Sequence, residues 1–112
     1  MTGTKNYLQP QGMIFNAMLG LMELQNGKER VSDPMHGELY FDVVLFGICW
    51  KLGLHVTGMD NDRCCAKLTV SESGKAEDDE SRDVLESMIQ NEFALLDHVL
   101  LAGTPQTIIY DL

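Results

Sequence analysis

Strict alternation of apolar and polar side chains over residues 63–71 is the sequence feature that most constrains the fold. Apolar members fall at every second position, which is the spacing of a strand with one buried and one exposed face. Because successive side chains of a strand point to opposite faces, Cys64 is predicted inward and Cys65 outward. The inward set is Cys64, Ala66, Leu68 and Val70, and the outward set is Cys65, Lys67 and Thr69.

A second run rich in β-formers, residues 54–59, precedes this strand, and Asp60-Asn61-Asp62 separates the two runs. Asp and Asn side chains close tight turns through local hydrogen bonds to the backbone. The sequence therefore predicts an antiparallel hairpin over residues 54–71.

A helical spacing of apolar residues predicts a first helix over residues 10–26. Pro10 suits the first helical turn, and Asn26-Gly27 supplies a left-handed stop. The same dipeptide also favours a type I′ turn, so a hairpin joining residues 21–25 to residues 28–31 is the alternative. The apolar residues that carry the helical spacing are Ile14, Met18, Leu21 and Met22.

Ser32-Asp33-Pro34 is a helix start signal, because Asp33 can cap exposed amides and Pro34 occupies a position that needs no N–H. A second helix is predicted over residues 34–52, ended by Gly53. Its apolar residues surround most of the circumference, which is typical of a buried central helix. They include Phe41, Val43, Val44, Leu45, Phe46, Ile48 and Trp50.

A third, long helix is predicted over residues 79–102, before Gly103 and Pro105. Acidic residues in its first turn match the positive end of the helix dipole. A helix of this length exceeds what a small core can cover, so one end is expected to protrude or to meet a second chain.

The complete pattern predicts one α+β domain over residues 1–112. Its element order is α-α-β-β-α-β, and two or three helices cover a small antiparallel sheet of about three strands. Residues 1–9 are predicted to be a flexible lead, residues 71–78 a mobile acidic loop and residues 106–112 the last strand. The open edges of such a sheet, together with the long helix, predict a homodimer or docking onto a larger protein.

The formal net charge of −9 excludes several classes of partner. Proteins that grip nucleic-acid backbones or anionic membranes use clusters of Lys and Arg, which this chain lacks. We therefore expect no direct binding to nucleic acid and no binding to a membrane. A protein partner with a basic surface is electrostatically favoured.

The three cysteines are an odd number, and two of them are adjacent, so free thiols in the cytoplasm are expected. No segment is apolar enough to span a membrane, and none reads as an export signal. No metal-ligand spacing and no phosphate-cradling glycine loop occurs. The sequence thus predicts no cofactor and no metal site.

Acidic residues crowd the start of the long helix, and helical geometry places several of them in one outward stripe. A row of carboxylates can imitate phosphates and bind a basic groove, although a solvated helix face is the simpler interpretation. The predicted partner-binding residues are Glu77, Asp78, Asp79, Glu80, Asp83, Glu86 and Asp97.

The leading functional prediction is a non-catalytic inhibitor or immunity-type protein of bacterial or phage origin. Its partner would be a protein with a basic surface, for example one that binds nucleic acid. A dimeric chaperone or assembly factor that binds through apolar grooves is the alternative. A small enzyme that uses Glu92, His55 or Cys65 is the second alternative, and it requires those groups to converge in a deep pocket.

Glu92 is the exception on the last helix, because its direction lies at the centre of the apolar arc. An unpaired carboxylate there is costly or titrates upward. Three roles remain open at the sequence level: pairing with a base such as Lys51, exposure where the helix overhangs, and service as a general acid or base.

Overall fold

The computed structural model describes residues 1–74 and 82–102, which form five strands and two helices. The strands build one antiparallel sheet in the order β1-β5-β4-β3-β2. The elements are β1 (Thr2–Tyr7), α1 (Gln11–Leu24), β2 (Lys28–Asp33), β3 (Glu38–Leu45), β4 (Ile48–Gly58), β5 (Cys64–Glu72) and α2 (Arg82–Ala102).

One face of the sheet carries the core, and both helices pack against it. In β3, β4 and β5 alternate side chains are buried while most of those between them are partly or fully exposed. Leu39, Leu54 and Leu68 lie on the buried face with no exposed surface. Burying such side chains contributes roughly 1.5–3 kcal/mol each, which favours this register over one shifted by a residue.

The prediction of a hairpin over residues 54–71 is confirmed by the antiparallel pairing of β4 with β5. The turn closes as expected, because the Asp62 amide donates to Asp60 Oδ1 at 2.9 Å. Cys64 is fully buried, whereas Cys65 is partly exposed, so the two side chains point to opposite faces of the sheet as predicted.

The first helix is confirmed as α1, and its predicted left-handed stop lies at Asn26, whose φ is 57°. The alternative hairpin within residues 21–31 is not formed. The last helix is confirmed over Arg82–Ala102, and residues 79–81 lie outside the described residues.

The predicted central helix over residues 34–52 is wrong, because this segment forms β3 and β4, which pair directly with each other. Asp33 does cap a backbone amide, but it does so in a turn, where it accepts from His36 N at 3.3 Å. Apolar residues that seemed to surround a helix belong instead to two adjacent strands. Each strand sends alternate side chains to the core, and β-branched and aromatic residues favour that state.

Residues 2–7 form edge strand β1, paired with β5, and are therefore not a flexible lead. The strand gives no apolar alternation because its inward positions include Gly3 and Lys5. Gly3 leaves room for a helix side chain, since a Cβ there would lie 2.5 Å from Ile89 Cγ2.

The predicted sheet of about three strands and the order α-α-β-β-α-β are wrong. The observed order is β-α-β-β-β-β-α with five strands. In the predicted mobile loop over residues 71–78, residues 71–72 end β5, and residues 75–78 lie outside the described residues. The predicted last strand over residues 106–112 also lies outside them.

Candidate functional site

The tip of the β3–β4 hairpin is a two-residue turn, Phe46-Gly47, closed by the pairing of Leu45 with Ile48. Both turn residues have positive φ, 56° at Phe46 and 75° at Gly47, as a type I′ turn requires. The left-handed region costs a bulky side chain roughly 1–2 kcal/mol, and Asn or Gly is the usual choice. Phe46 is also 89% exposed, so neither local conformation nor core packing explains an aromatic residue there.

The facing wall comes from the first half of α2. Val84, Ser87, Met88 and Asn91 stand at the i, i+3, i+4 and i+7 positions of one helix side. Val84 is 48% exposed, whereas Met88 is buried, so exposure on this side of the helix falls toward the core. The helix thus presents an apolar strip with polar groups along its edge.

Between the hairpin and α2 lies an open cleft of about 600 Å³, a size typical of small-molecule sites. Trp50 is only 3% exposed, and its indole N–H donates to the Leu45 carbonyl at 3.3 Å. That bond occupies its only polar atom, so the ring adds an apolar surface to the cleft. The lining residues are Phe46, Ile48, Trp50, Asp83, Val84, Ser87, Met88 and Asn91.

Glu92 is buried one position beyond the cleft-lining Asn91, with no exposed surface. Gln25, the residue that ends α1, donates from Nε2 to Glu92 Oε1 at 2.6 Å. Two buried oxygens, Gln25 Oε1 and Glu92 Oε2, accept no hydrogen bond from the described residues. Burial raises the pKa of Glu92, and the bond from Gln25 lowers it by less. Of the three roles left open for Glu92, pairing with Lys51 is not formed, because Lys51 is exposed on the opposite face of the sheet.

A second, smaller cleft of about 330 Å³ lies between the end of β1 and the end of α2. Asp97 is engaged there by its own fold, since Tyr7 Oη donates to Asp97 Oδ1 at 2.9 Å and Lys5 pairs with Oδ2. Burial, followed by the bond to Asp97, raises the pKa of Tyr7 well above its usual value. This cluster fixes β1 to α2.

The three predicted partner-binding acids that the structure describes lie in three different places. Asp83 lines the large cleft, Glu86 is exposed beside a separate depression, and Asp97 is paired with Lys5. The other four, Glu77, Asp78, Asp79 and Glu80, lie outside the described residues. A partner-binding role for these acids stays a prediction, as does the homodimer.

The catalytic constellation considered for a small enzyme is not assembled. His55 and Cys65 lie on the exposed face of the sheet, whereas Glu92 lies in the core on the other face. Within the two described ranges, no three His, Cys, Asp or Glu side chains are grouped to hold a metal ion. Over the same ranges, neither helix is long and apolar enough to cross a membrane.

Sequence reasoning missed Phe46, Ile48 and Trp50 as cleft residues because it placed them inside a helix. One signal was available in the sequence: Gly47 interrupts a long apolar run, and an isolated glycine in such a run can mark a turn.

Comparison with known proteins shows the fold. No family model and no curated protein sequence matches the chain. It is similar in structure to StfQ, a di-domain aromatase/cyclase of the steffimycin biosynthetic pathway, with a TM-score of 0.57 and 7% identity. The match covers 89% of this chain and 43% of StfQ, so the chain spans less than half of that protein.

Two further structures match over most of their length. Ara h 8.0201 has a TM-score of 0.55 at 11% identity, covering 92% of this chain and 99% of that one. The ZhuI aromatase/cyclase from Streptomyces sp. R1128 has a TM-score of 0.51 at 10% identity, covering 89% and 90%. The shared architecture, in which a long helix packs on an antiparallel sheet, resembles the helix-grip or Bet v1-like fold.

These likenesses correct the leading functional prediction. The prediction of an inhibitor or immunity-type protein rests on acidic residues that face outward in a row before and along the last helix. The chain instead has the fold of the aromatase/cyclases and Ara h 8.0201, and the three predicted acids that the structure describes, Asp83, Glu86 and Asp97, lie in different surroundings. The prediction of an inhibitor or immunity-type protein is therefore wrong.

Proposed function

We propose that this protein binds a small apolar ligand in the cleft between the β3–β4 hairpin and α2. The observation that carries the proposal is the cleft itself, about 600 Å³ with Trp50 and Met88 among its lining residues. An exposed aromatic in a strained turn at its mouth supports the proposal, since such residues concentrate at functional sites. Two proteins that share the fold are named aromatase/cyclases, which supports a small-molecule site on this fold.

Non-covalent binding is favoured over catalysis by the groups that line the cleft. Asp83 is the only titratable residue among the lining residues in the described part of the chain, and it lies on an exposed part of α2. General acid–base chemistry usually needs a positioned group with a tuned pKa, and the buried Glu92 does not line the cleft. We therefore propose a carrier or sensor that holds its ligand unchanged.

The proposal is tested by titrating the protein with N-phenylnaphthylamine, a neutral probe whose emission rises in apolar surroundings. Ser87→Trp adds a bulky ring to the cleft from an exposed helix position, which spares the core. We expect this change to weaken probe binding at least tenfold, or about 1.4 kcal/mol.

Ala94→Trp is the matched control, because Ala94 is exposed on the same helix and does not line the cleft. It should bind the probe as the unchanged protein does. No saturable binding by the unchanged protein, or equal loss in both variants, would refute the proposed function.

A further inference from the structure

The charged group that lines the cleft bears on which apolar ligands it binds. Asp83 is its only charged lining residue within the described ranges, and no lysine, arginine or histidine there lines it. Asp83 stands in the first turn of α2. Asp83 is exposed, so its carboxylate attracts a nearby cation in a way that added salt screens.

In the described part of the chain, the two basic residues adjacent in sequence to cleft residues face elsewhere. Arg82, the neighbour of Asp83, lines a separate depression with Glu86 and Gln90. Lys51 follows Trp50 in β4 and is exposed on the far side of the sheet. The net charge of −9 adds to the negative potential that a ligand meets on approach.

The aromatic lining acts in the same direction as Asp83. Phe46 and Trp50 contribute rings to the hairpin wall, and the faces of such rings attract cations. An anion would be repelled by the Asp83 carboxylate and would find no basic lining residue within the described ranges.

Building on the proposed function, we infer that the cleft selects planar aromatic ligands that carry a cationic group and rejects the same rings carrying an anionic group. Asp83 is the residue that determines this selectivity. The ring system lies against Trp50 and Met88, and the cationic group of the ligand lies toward the α2 edge of the cleft. Ser87 and Asn91 supply hydrogen-bonding groups along that edge.

The test is displacement of bound N-phenylnaphthylamine by two competitors on one ring, naphthylmethylamine as the cation and naphthoate as the anion. The cation should compete at least about tenfold better at low ionic strength, and the difference should shrink with added salt. Equal competition, or preference for naphthoate, overturns the inference while the proposed function stands. Failure of the neutral probe to bind overturns both.

Variants locate the effect. Asp83→Asn should bring the two competitors to within about threefold of each other, and Asp83→Lys should favour naphthoate. Glu86→Lys is the control, because it changes the net charge of the protein equally from a residue that does not line the cleft. If Glu86→Lys shifts the preference as far as Asp83→Lys does, the selectivity comes from overall charge and the inference about Asp83 is overturned.

Discussion

Half-buried Gln25 reaches the fully buried Glu92, and one proton on Glu92 would satisfy both of their unpartnered oxygens. Gln25 Nε2 already donates to Glu92 Oε1, which leaves Gln25 Oε1 and Glu92 Oε2 as two buried acceptors. A protonated carboxyl can donate from Oε2 to the amide oxygen, so acid and amide then form a closed pair. Burial raises the pKa of Glu92 in the direction that keeps this proton.

The pair makes stability depend on pH with a defined sign. Because the folded pKa of Glu92 is raised, its contribution is complete below the unfolded pKa of roughly 4.3 and is lost as pH rises through the folded pKa. Glu92→Gln preserves the shape and lets an amide donate in place of the proton. We expect it to raise the free energy of unfolding by about 1–3 kcal/mol above the folded pKa, with little change in acid.

Chemical denaturation at a series of pH values measures this effect. Glu86→Gln is the matched control, because Glu86 is exposed on the same helix, and it should stay within about 0.5 kcal/mol at every pH. If Glu92→Gln lowered the free energy of unfolding at every pH, the account of Glu92 as a carboxyl with a raised pKa would be contradicted.

At the scale of elements, the β3–β4 hairpin places a residue with a strained backbone at the mouth of the cleft. Phe46 has a φ of 56°, a conformation that favours Asn or Gly. The residue is 89% exposed, and it lines the cleft together with Ile48. A residue type that is disfavoured in its backbone conformation is common at sites where function requires its side chain.

Phe46→Asn should therefore separate stability from binding. Because Asn tolerates the left-handed region, we expect the free energy of unfolding to rise by about 0.5–1 kcal/mol. Binding of N-phenylnaphthylamine should weaken severalfold, because the aromatic wall at the mouth is lost. Thermal unfolding and probe titration measure the two effects.

Met35→Asn removes another apolar side chain, 90% exposed and remote from the cleft lining, and it should leave probe affinity unchanged. Phe46→Asn with unaltered probe affinity would show that the aromatic ring at the tip does not serve the cleft.

The elements that could be predicted from sequence were those whose apolar spacing matches one type of secondary structure over most of their length. The alternation around Cys64 and the turn at Asp60 specify a hairpin, and α1 carries a helical spacing with a left-handed stop at Asn26. The segment containing β3 and β4 is apolar at too many positions for periodicity to separate a helix from paired strands. In β1, Gly3 and Lys5 on the inward side remove the alternation that would have revealed a strand.

At the scale of the whole molecule, the site forms between distant parts of the chain. The hairpin residue Trp50 and the α2 residue Met88 come together only because α2 packs across the sheet. Sequence reasoning identified Asp83 but assigned it to a partner surface, and it placed Trp50 in a helix. The buried position of Glu92 could be anticipated from the helical arc, whereas its partner Gln25 could not, because that contact depends on how α1 meets α2.

The β2 edge of the sheet also bears on assembly. Edge strand β2 carries Lys28, Glu29 and Arg30, and its register shifts between Glu29 and Val31. Charges and bulges on an edge strand oppose pairing with a second sheet. A homodimer through this edge is therefore disfavoured, and the predicted homodimer would need another surface.

Trp50 allows the most direct measurement, because it is the only tryptophan of the chain and it lines the cleft. Its indole N–H gives a single proton–nitrogen correlation in a nuclear magnetic resonance spectrum. On titration with N-phenylnaphthylamine, we predict a saturable shift of this signal together with the backbone signals of Ile48 and Ser87. If the indole signal stays fixed while the probe binds, or if shifts concentrate at the second cleft around Tyr7 and Leu101, the cleft between hairpin and helix is not the binding site.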